Sequence, residues 1–127
     1  MIHEEITIAG KPVTLAYCYA TEIAYKDLSG EDIDAIIQET VACVNAKPAR
    51  MPDAKRSIYL VLAAIMAYYD SKDKDAPIND TDLMRETSPI ELGTALGTII
   101  NLWAKFYNIP KGEPAEKPAK GRGKAKN

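Results

Sequence analysis

The sequence predicts a mainly α (α+β) fold: a short N-terminal β-hairpin, a bundle of four to five helices completing one domain over residues 1–109, and a flexible basic tail over residues 110–127. Three patterns carry that reading. Alternation of apolar and polar residues is confined to residues 6–15, apolar spacings of three and four recur from Tyr19 to Asn108, and large apolar side chains vanish after Ile109. In that last stretch Pro110, Pro114 and Pro118 recur among Lys, Glu, Gly and Ala, a composition that buries too little surface to offset its conformational entropy.

Taken in order, Ile6-Thr7-Ile8 and Val13-Thr14-Leu15 alternate around the glycine-containing turn Ala9-Gly10-Lys11-Pro12 and so pair as a hairpin. Two strands alone are marginal, so the hairpin has to pack on helices or pair with another chain. From Tyr19 the period becomes helical: Ala20, Ile23, Ala24 and Leu28 form the apolar face of a short helix that Ser29-Gly30 ends. Ser29, three residues before Asp32, opens the next helix in a capping-box arrangement. That helix gathers Ile33, Ile36, Ile37, Thr40, Val41 and Val44 on one side and stops near Ala46, because Pro48 disfavours a helical residue before it. Asp53 caps the strongest helix, Ala54 to about Ser71. Its segment 58–69 is apolar nearly all round, which puts it at the centre of the domain or in a subunit interface. After the charged loop Asp70–Asp75, Asp80 or Thr81 caps a short helix through Glu86. Ser88, Pro89 and Glu91 start the last helix, whose apolar set Ile90, Leu92, Leu96, Ile99, Ile100, Trp103, Phe106 and Tyr107 runs to Asn108. Gly93 and Gly97 within it mark either a close helix–helix approach or tolerated glycines.

Composition narrows the function. The 127 residues are 46% hydrophobic and 27% charged, enough for a real core in one ordinary domain. The net charge of -2 conceals a division: residues 1–109 hold 10 basic and 16 acidic groups, residues 110–127 hold 6 and 2. Cys18 and Cys43 lie in apolar company without a Cys-x-x-Cys motif, which reads as two small buried side chains, with a disulfide or a metal as the lesser alternative. No basic stretch leads into an apolar run at the N-terminus, and the twelve residues Ile58–Tyr69 fall short of the roughly 20 that cross a bilayer, so the expectation is a cytoplasmic protein. His3, the single histidine, stands beside Glu4 and Glu5 on a terminus expected to fray. Asp70, Asp73 and Asp75 lack the glycine and closing glutamate of a calcium loop, and neither a phosphate-binding glycine loop nor a nucleophile motif occurs. The expectation is a non-enzymatic protein with no cofactor and no metal.

Two groups of residues remain as functional candidates. Lys117, Lys120, Arg122, Lys124 and Lys126, without interleaved aromatics, have the chemistry to neutralise a few phosphates, to meet an acidic protein surface or a neighbouring copy's acidic body, or to keep the chain soluble. A partner-binding surface is expected on Trp103, Phe106, Tyr107 and Ile109 and, on the outer side of helix 54–71, on Tyr59, Tyr68 and Tyr69; the competing reading is that these residues simply form core.

The segments Ile6-Thr7-Ile8-Ala9-Gly10-Lys11, Val13-Thr14-Leu15, Thr21-Glu22-Ile23 and Leu28-Ser29-Gly30, followed by the helix from Glu31-Asp32-Ile33, resemble the tail assembly chaperones of long-tailed (siphovirus-like) bacteriophages and prophages. The likeness covers the whole chain in architecture and about the first 35 residues in letters. It implies a non-enzymatic protein of the host cytoplasm that binds and solubilises the tape measure protein and helps recruit tail tube subunits, with homo-oligomers possible. The family also implies a longer frameshifted product, with which Gly123-Lys124, preceded by Arg122, is compatible in that the pair can be encoded by a heptamer permitting backward slippage. The alternatives are a small nucleic-acid-associated accessory protein acting through the basic tail, and a helical oligomerisation module.

Overall fold

A computed structural model describes residues 1–109; residues 110–127, with the basic-tail reading that falls on them, lie outside the described residues. The chain runs β1 (Ile2–Ile8), β2 (Lys11–Tyr17), α1 (Tyr19–Ser29), α2 (Ile33–Asn45), α3 (Ala54–Ser71), α4 (Asp80–Glu86) and α5 (Pro89–Phe106). The expected antiparallel hairpin followed by five helices is present.

Both strands are longer than alternation alone indicated. Their register, Ile8 opposite Lys11 through Ile2 opposite Tyr17, leaves only Ala9-Gly10 in the loop. Both loop residues have positive φ (53° and 76°), the backbone of the tight hairpin turn whose twist matches that of paired strands. The four-residue turn expected from sequence is therefore corrected to two, because Lys11 and Pro12 join the ladder. Pro12 is tolerated because alternate residues of β2 turn their N–H groups away from β1, and Pro12 is one of these. His3 is likewise not on a frayed end: it lies within β1, its ring 5.2 Å from that of Tyr68.

One face of the hairpin packs on α5, while β2 also lies against α3. Every residue of β2 from Val13 to Tyr17 is buried, whereas His3, Glu4, Glu5 and Thr7 of β1 are exposed. α3 takes the central place, touching β2 and all four other helices, and none of its residues 58–69 is exposed. Of the two readings of that apolar helix, the centre of the domain is the one realised. Ile8, Leu15, Tyr17, Ile36, Leu60, Ile65, Leu83, Ile99 and Leu102 are among the residues that close the core.

Helix starts follow local chemistry. Asp53 accepts the Arg56 N–H at 3.0 Å, and Ser88 and Glu91 exchange the two bonds of a capping box at 3.1 and 3.0 Å. Glu91 does more: its Oε2 accepts the N–H of Ala9, 3.1 Å away, tying the hairpin turn to the first turn of α5. Three expectations are corrected. Asn79, not Asp80 or Thr81, caps α4 by accepting the Asp82 N–H. Ser29 ends α1 instead of opening α2, its hydroxyl donating back to the Tyr25 carbonyl. The N-cap of α2 is Asp32, whose carboxylate binds Lys26 at 2.9 Å. Ile90 and Val44, expected on apolar faces, are exposed. Cys43 is buried and Cys18 half-buried, both as free thiols.

A polar tie joins α1, α2 and α3. The Arg56 guanidinium binds Glu31 at 2.8 Å and Glu39, and Glu31 also accepts the Tyr25 hydroxyl. The Tyr25 hydroxyl and then Arg56 hold Glu31 below the usual carboxylate range, Arg56 does the same for Glu39, and the backbone N–H groups of Ser88 and Ala9 do it for Glu91. Each folded-state value lies under the ordinary 4.5, so the folded protein binds these protons more weakly than the unfolded chain. Their stabilisation is complete above that range and is lost as pH falls through the depressed values. Melting followed by circular dichroism should show a midpoint that is flat from about pH 7 to pH 5 and falls below about pH 4.5. Glu91→Gln, which keeps an acceptor but cannot titrate, should shrink the acid-side fall.

Apart from the backbone of their own helix and their chain neighbours, no atom of the described residues lies within 4 Å of where a Cβ would stand on Gly93 or Gly97, so packing among the described residues does not require either glycine. Gly97→Ala and Gly93→Ala should each raise unfolding free energy by about 0.5–1 kcal/mol in urea titrations. A loss instead would mean that another chain packs on that stripe.

Candidate functional site

The end of α5 is set by a turn that the apolar spacing alone did not locate. Asn108 takes positive φ (57°), the Asn108 N–H donates to the Lys105 carbonyl at 3.2 Å, and the Ile109 N–H reaches the Ala104 carbonyl at 2.7 Å. This Schellman arrangement stops the helix at Phe106, two residues before the expected Asn108, and holds Tyr107 beside α1. The signal was legible: an asparagine that tolerates the left-handed region, with Pro110 two residues on.

Tyr107 and Tyr17 both donate their hydroxyls to Oε2 of Glu22 on α1, Tyr17 at 2.7 Å. The hydrogen bond to Glu22 and partial burial push the Tyr107 phenol up to about 12. Burial first, and then the Glu22 carboxylate, push Tyr17 further in the same direction. Both therefore stay protonated donors at neutral pH, and Glu22 becomes a fixed link from α1 to the hairpin and to the end of α5. Phe106 fills the angle between them, 5.5 Å from the Tyr17 ring and edge-on to Tyr19 at 5.1 Å.

α1 supplies the outward part of the surface, and here sequence reasoning is corrected. Its inward residues are Thr21 and Tyr25, with Ala24 and Leu28 half-buried; Ala20 and Ile23 are exposed. The reason is polar. The Thr21 hydroxyl donates to the Ala16 carbonyl on the outer edge of β2 at 2.8 Å, and the Tyr25 hydroxyl meets Glu31, so both enter the interior with partners. Tyr19 and Ile23, four apart on the opposite face, are left 65% and 63% exposed, and Tyr107 beside them is 44% exposed. Next to this aromatic–aliphatic patch an open hollow of about 390 Å³ lies between α1, the start of α2 and Tyr107. Glu22, Asp27, Asp32 and Asp34 line it with Lys26, and Ile23, Ile33 and Tyr107 form its apolar part.

The residues expected to bind a partner separate into two regions. Phe106 and Tyr107 belong to the patch; Trp103 and Ile109 are half-buried nearby in sequence, Trp103 packing against the core. On α3, Tyr59 is half-buried with the Lys55 ammonium over its ring, Tyr68 meets His3, and the Tyr69 hydroxyl accepts the Thr14 N–H at 3.1 Å. Lys117, Lys120, Arg122, Lys124 and Lys126 lie outside the described residues. Tyr19, Ile23, Glu22, Asp27 and Asp34 are the surface residues that apolar spacing passed over. Among the described residues no group of three His, Cys, Asp or Glu side chains is arranged to hold a metal, the Asp70–Asp75 loop included, and no helix is long and apolar enough to cross a membrane. No protein-family model, curated protein or solved structure matches the chain.

Because Ile23 stands clear of the core and Tyr19 meets it only through the edge of Phe106, Tyr19→Ser with Ile23→Ser should lower unfolding free energy by no more than about 1.5 kcal/mol in total. The same variant should lower the fluorescence of a bound apolar dye relative to the parent chain.

Proposed function

We propose that this chain is a non-enzymatic tail assembly chaperone of a long-tailed phage or prophage, working in the host cytoplasm. It covers apolar helical stretches of the tape measure protein before assembly and helps bring tail tube subunits to it. The observation that carries the reading is the patch of Tyr19, Ile23, Phe106 and Tyr107, partly open to solvent on a domain whose core is otherwise closed. Exposed apolar groups gathered at one place and rimmed by charge are the mark of an interaction surface. An amphipathic helix presenting residues four apart has the complementary shape for Tyr19 and Ile23. The hairpin-then-helices architecture and the residues of the first third of the chain support the same family resemblance.

Co-expression tests it. With the tape measure protein of the same phage, the parent chain should move the long partner from the pellet to the soluble fraction and co-purify with it. The Tyr19→Ser, Ile23→Ser variant should lose most of that effect while keeping its own fold. An equally insoluble partner with and without the chain overturns the reading. Salt-sensitive DNA binding that disappears on removing residues 110–127 would instead favour the nucleic-acid alternative.

A further inference from the structure

We propose that the acidic hollow beside Tyr107 is the seat of the chain's own basic segment, residues 117–126, which thereby covers the neighbouring apolar patch in cis. The inference concerns the same patch as the chaperone reading but rests on charge and tether alone.

The hollow is strongly one-signed. Of its four carboxylates, Asp32 is matched by Lys26 at 2.9 Å, leaving Glu22, Asp27 and Asp34 without a cation among the described residues. Asp27 and Asp34 are exposed. Other acidic stretches are diluted: Asp70, Asp73 and Asp75 share their loop with Lys72 and Lys74, and Asp80, Asp82 and Glu86 share α4 with Arg85. On the other side of the pairing, residues 117–126 carry Lys117, Lys120, Arg122, Lys124 and Lys126 and no carboxylate. Complementary charge at this density steers contact and fixes which surface is chosen.

The tether makes the pairing local. The Schellman turn fixes the chain at Ile109, next to the Tyr107 that lines the hollow. Residues 110–117 have a reach of up to roughly 26 Å, and a linker of that length gives an effective concentration on the order of millimolar. Individually weak exposed ion pairs then suffice for occupancy, and they weaken as salt shortens the screening length to about 3 Å at 1 M. Pro110 and Pro114 within this tether add apolar rings to a stretch otherwise made of Lys, Gly, Glu and Ala. A partner helix using the patch would have to displace the segment, which makes it an internal competitor.

Zero-length carbodiimide cross-linking of the full chain at low salt, read by mass spectrometry of the monomer band, tests this. Links from Lys117, Lys120, Lys124 and Lys126 to Glu22, Asp27 or Asp34 should exceed those to Glu4, Glu5, Asp80 and Asp82 by at least five-fold. They should fall by a similar factor in 1 M salt and in the Asp27→Asn, Asp34→Asn variant. Amide resonances of residues 22–34 and 107 should also shift when the five basic residues are replaced by glutamine. Links spread evenly over the body's carboxylates, links found only between chains in a dimer band, or unmoved resonances would each overturn the proposal. None of these readouts involves a tape measure protein, so the chaperone reading stands or falls separately.

Discussion

The fold depends on how the second edge of a two-stranded sheet is closed. A hairpin has two open edges, and an apolar strand with an unpaired edge is both unstable and sticky. Here β1 keeps its edge in water behind His3, Glu4, Glu5 and Thr7, while β2 turns its edge into the helices. Pro12 removes one N–H from that edge, the Tyr69 hydroxyl takes the Thr14 N–H, and the Thr21 hydroxyl gives to the Ala16 carbonyl. Tyrosine and threonine thus do what a third strand would do, one from α3 and one from α1. That is why β2 can be buried from Val13 to Tyr17 although it has a single strand partner, and why α3 had to be apolar nearly all round.

The surface patch follows from the same constraint. Sending Thr21 inward to reach Ala16 fixes the rotation of α1, and Tyr25, one turn on, goes inward with it. Tyr19 and Ile23 are then forced outward, whatever their hydropathy. Glu22, between the two faces, points to where the hairpin ends and the last helix stops, and it collects the hydroxyls of Tyr17 and Tyr107. Thus an apolar surface and an acidic hollow adjoin because one short helix was oriented by two buried polar side chains.

Much of the architecture was legible because its signals are local. Asp53, Ser88 and Glu91 announce helix starts by bonds made within four residues, and the apolar run 58–69 has no reading that leaves it in water. The misreadings share one cause. For α1, counting hydropathy placed Ile23 inside, but the interior there pairs hydroxyls from distant segments, a fact no periodicity reports. Ser29 looked like the cap of α2, yet its hydroxyl is used by α1 and the N-cap is Asp32, whose carboxylate meets Lys26, since each polar side chain has several partners within reach. The long-range use of Glu91 for the Ala9 N–H was invisible for the same reason. For the site, Phe106 and Tyr107 could be picked out as terminal aromatics, whereas Tyr19 and Ile23 became visible only once α1 had a rotation.

An apolar patch on a small domain invites self-association, and its placement bears on which contacts are favoured. Residues 1–109 carry 16 acidic against 10 basic groups, and three carboxylates that have no cation among the described residues stand beside the patch. Two copies brought patch to patch would set Glu22, Asp27 and Asp34 against their own equivalents, a like-charge arrangement that costs more the better the apolar faces exclude water. A polypeptide offering apolar residues four apart with lysine or arginine alongside meets no such opposition. The same carboxylates therefore weigh against a homotypic contact relative to one with a basic polypeptide, the repulsive half of any discrimination this surface makes. Glu22 is the least replaceable of the three, because it also holds Tyr107 in place: substituting it by a neutral residue would weaken the negative rim and release the ring beside it.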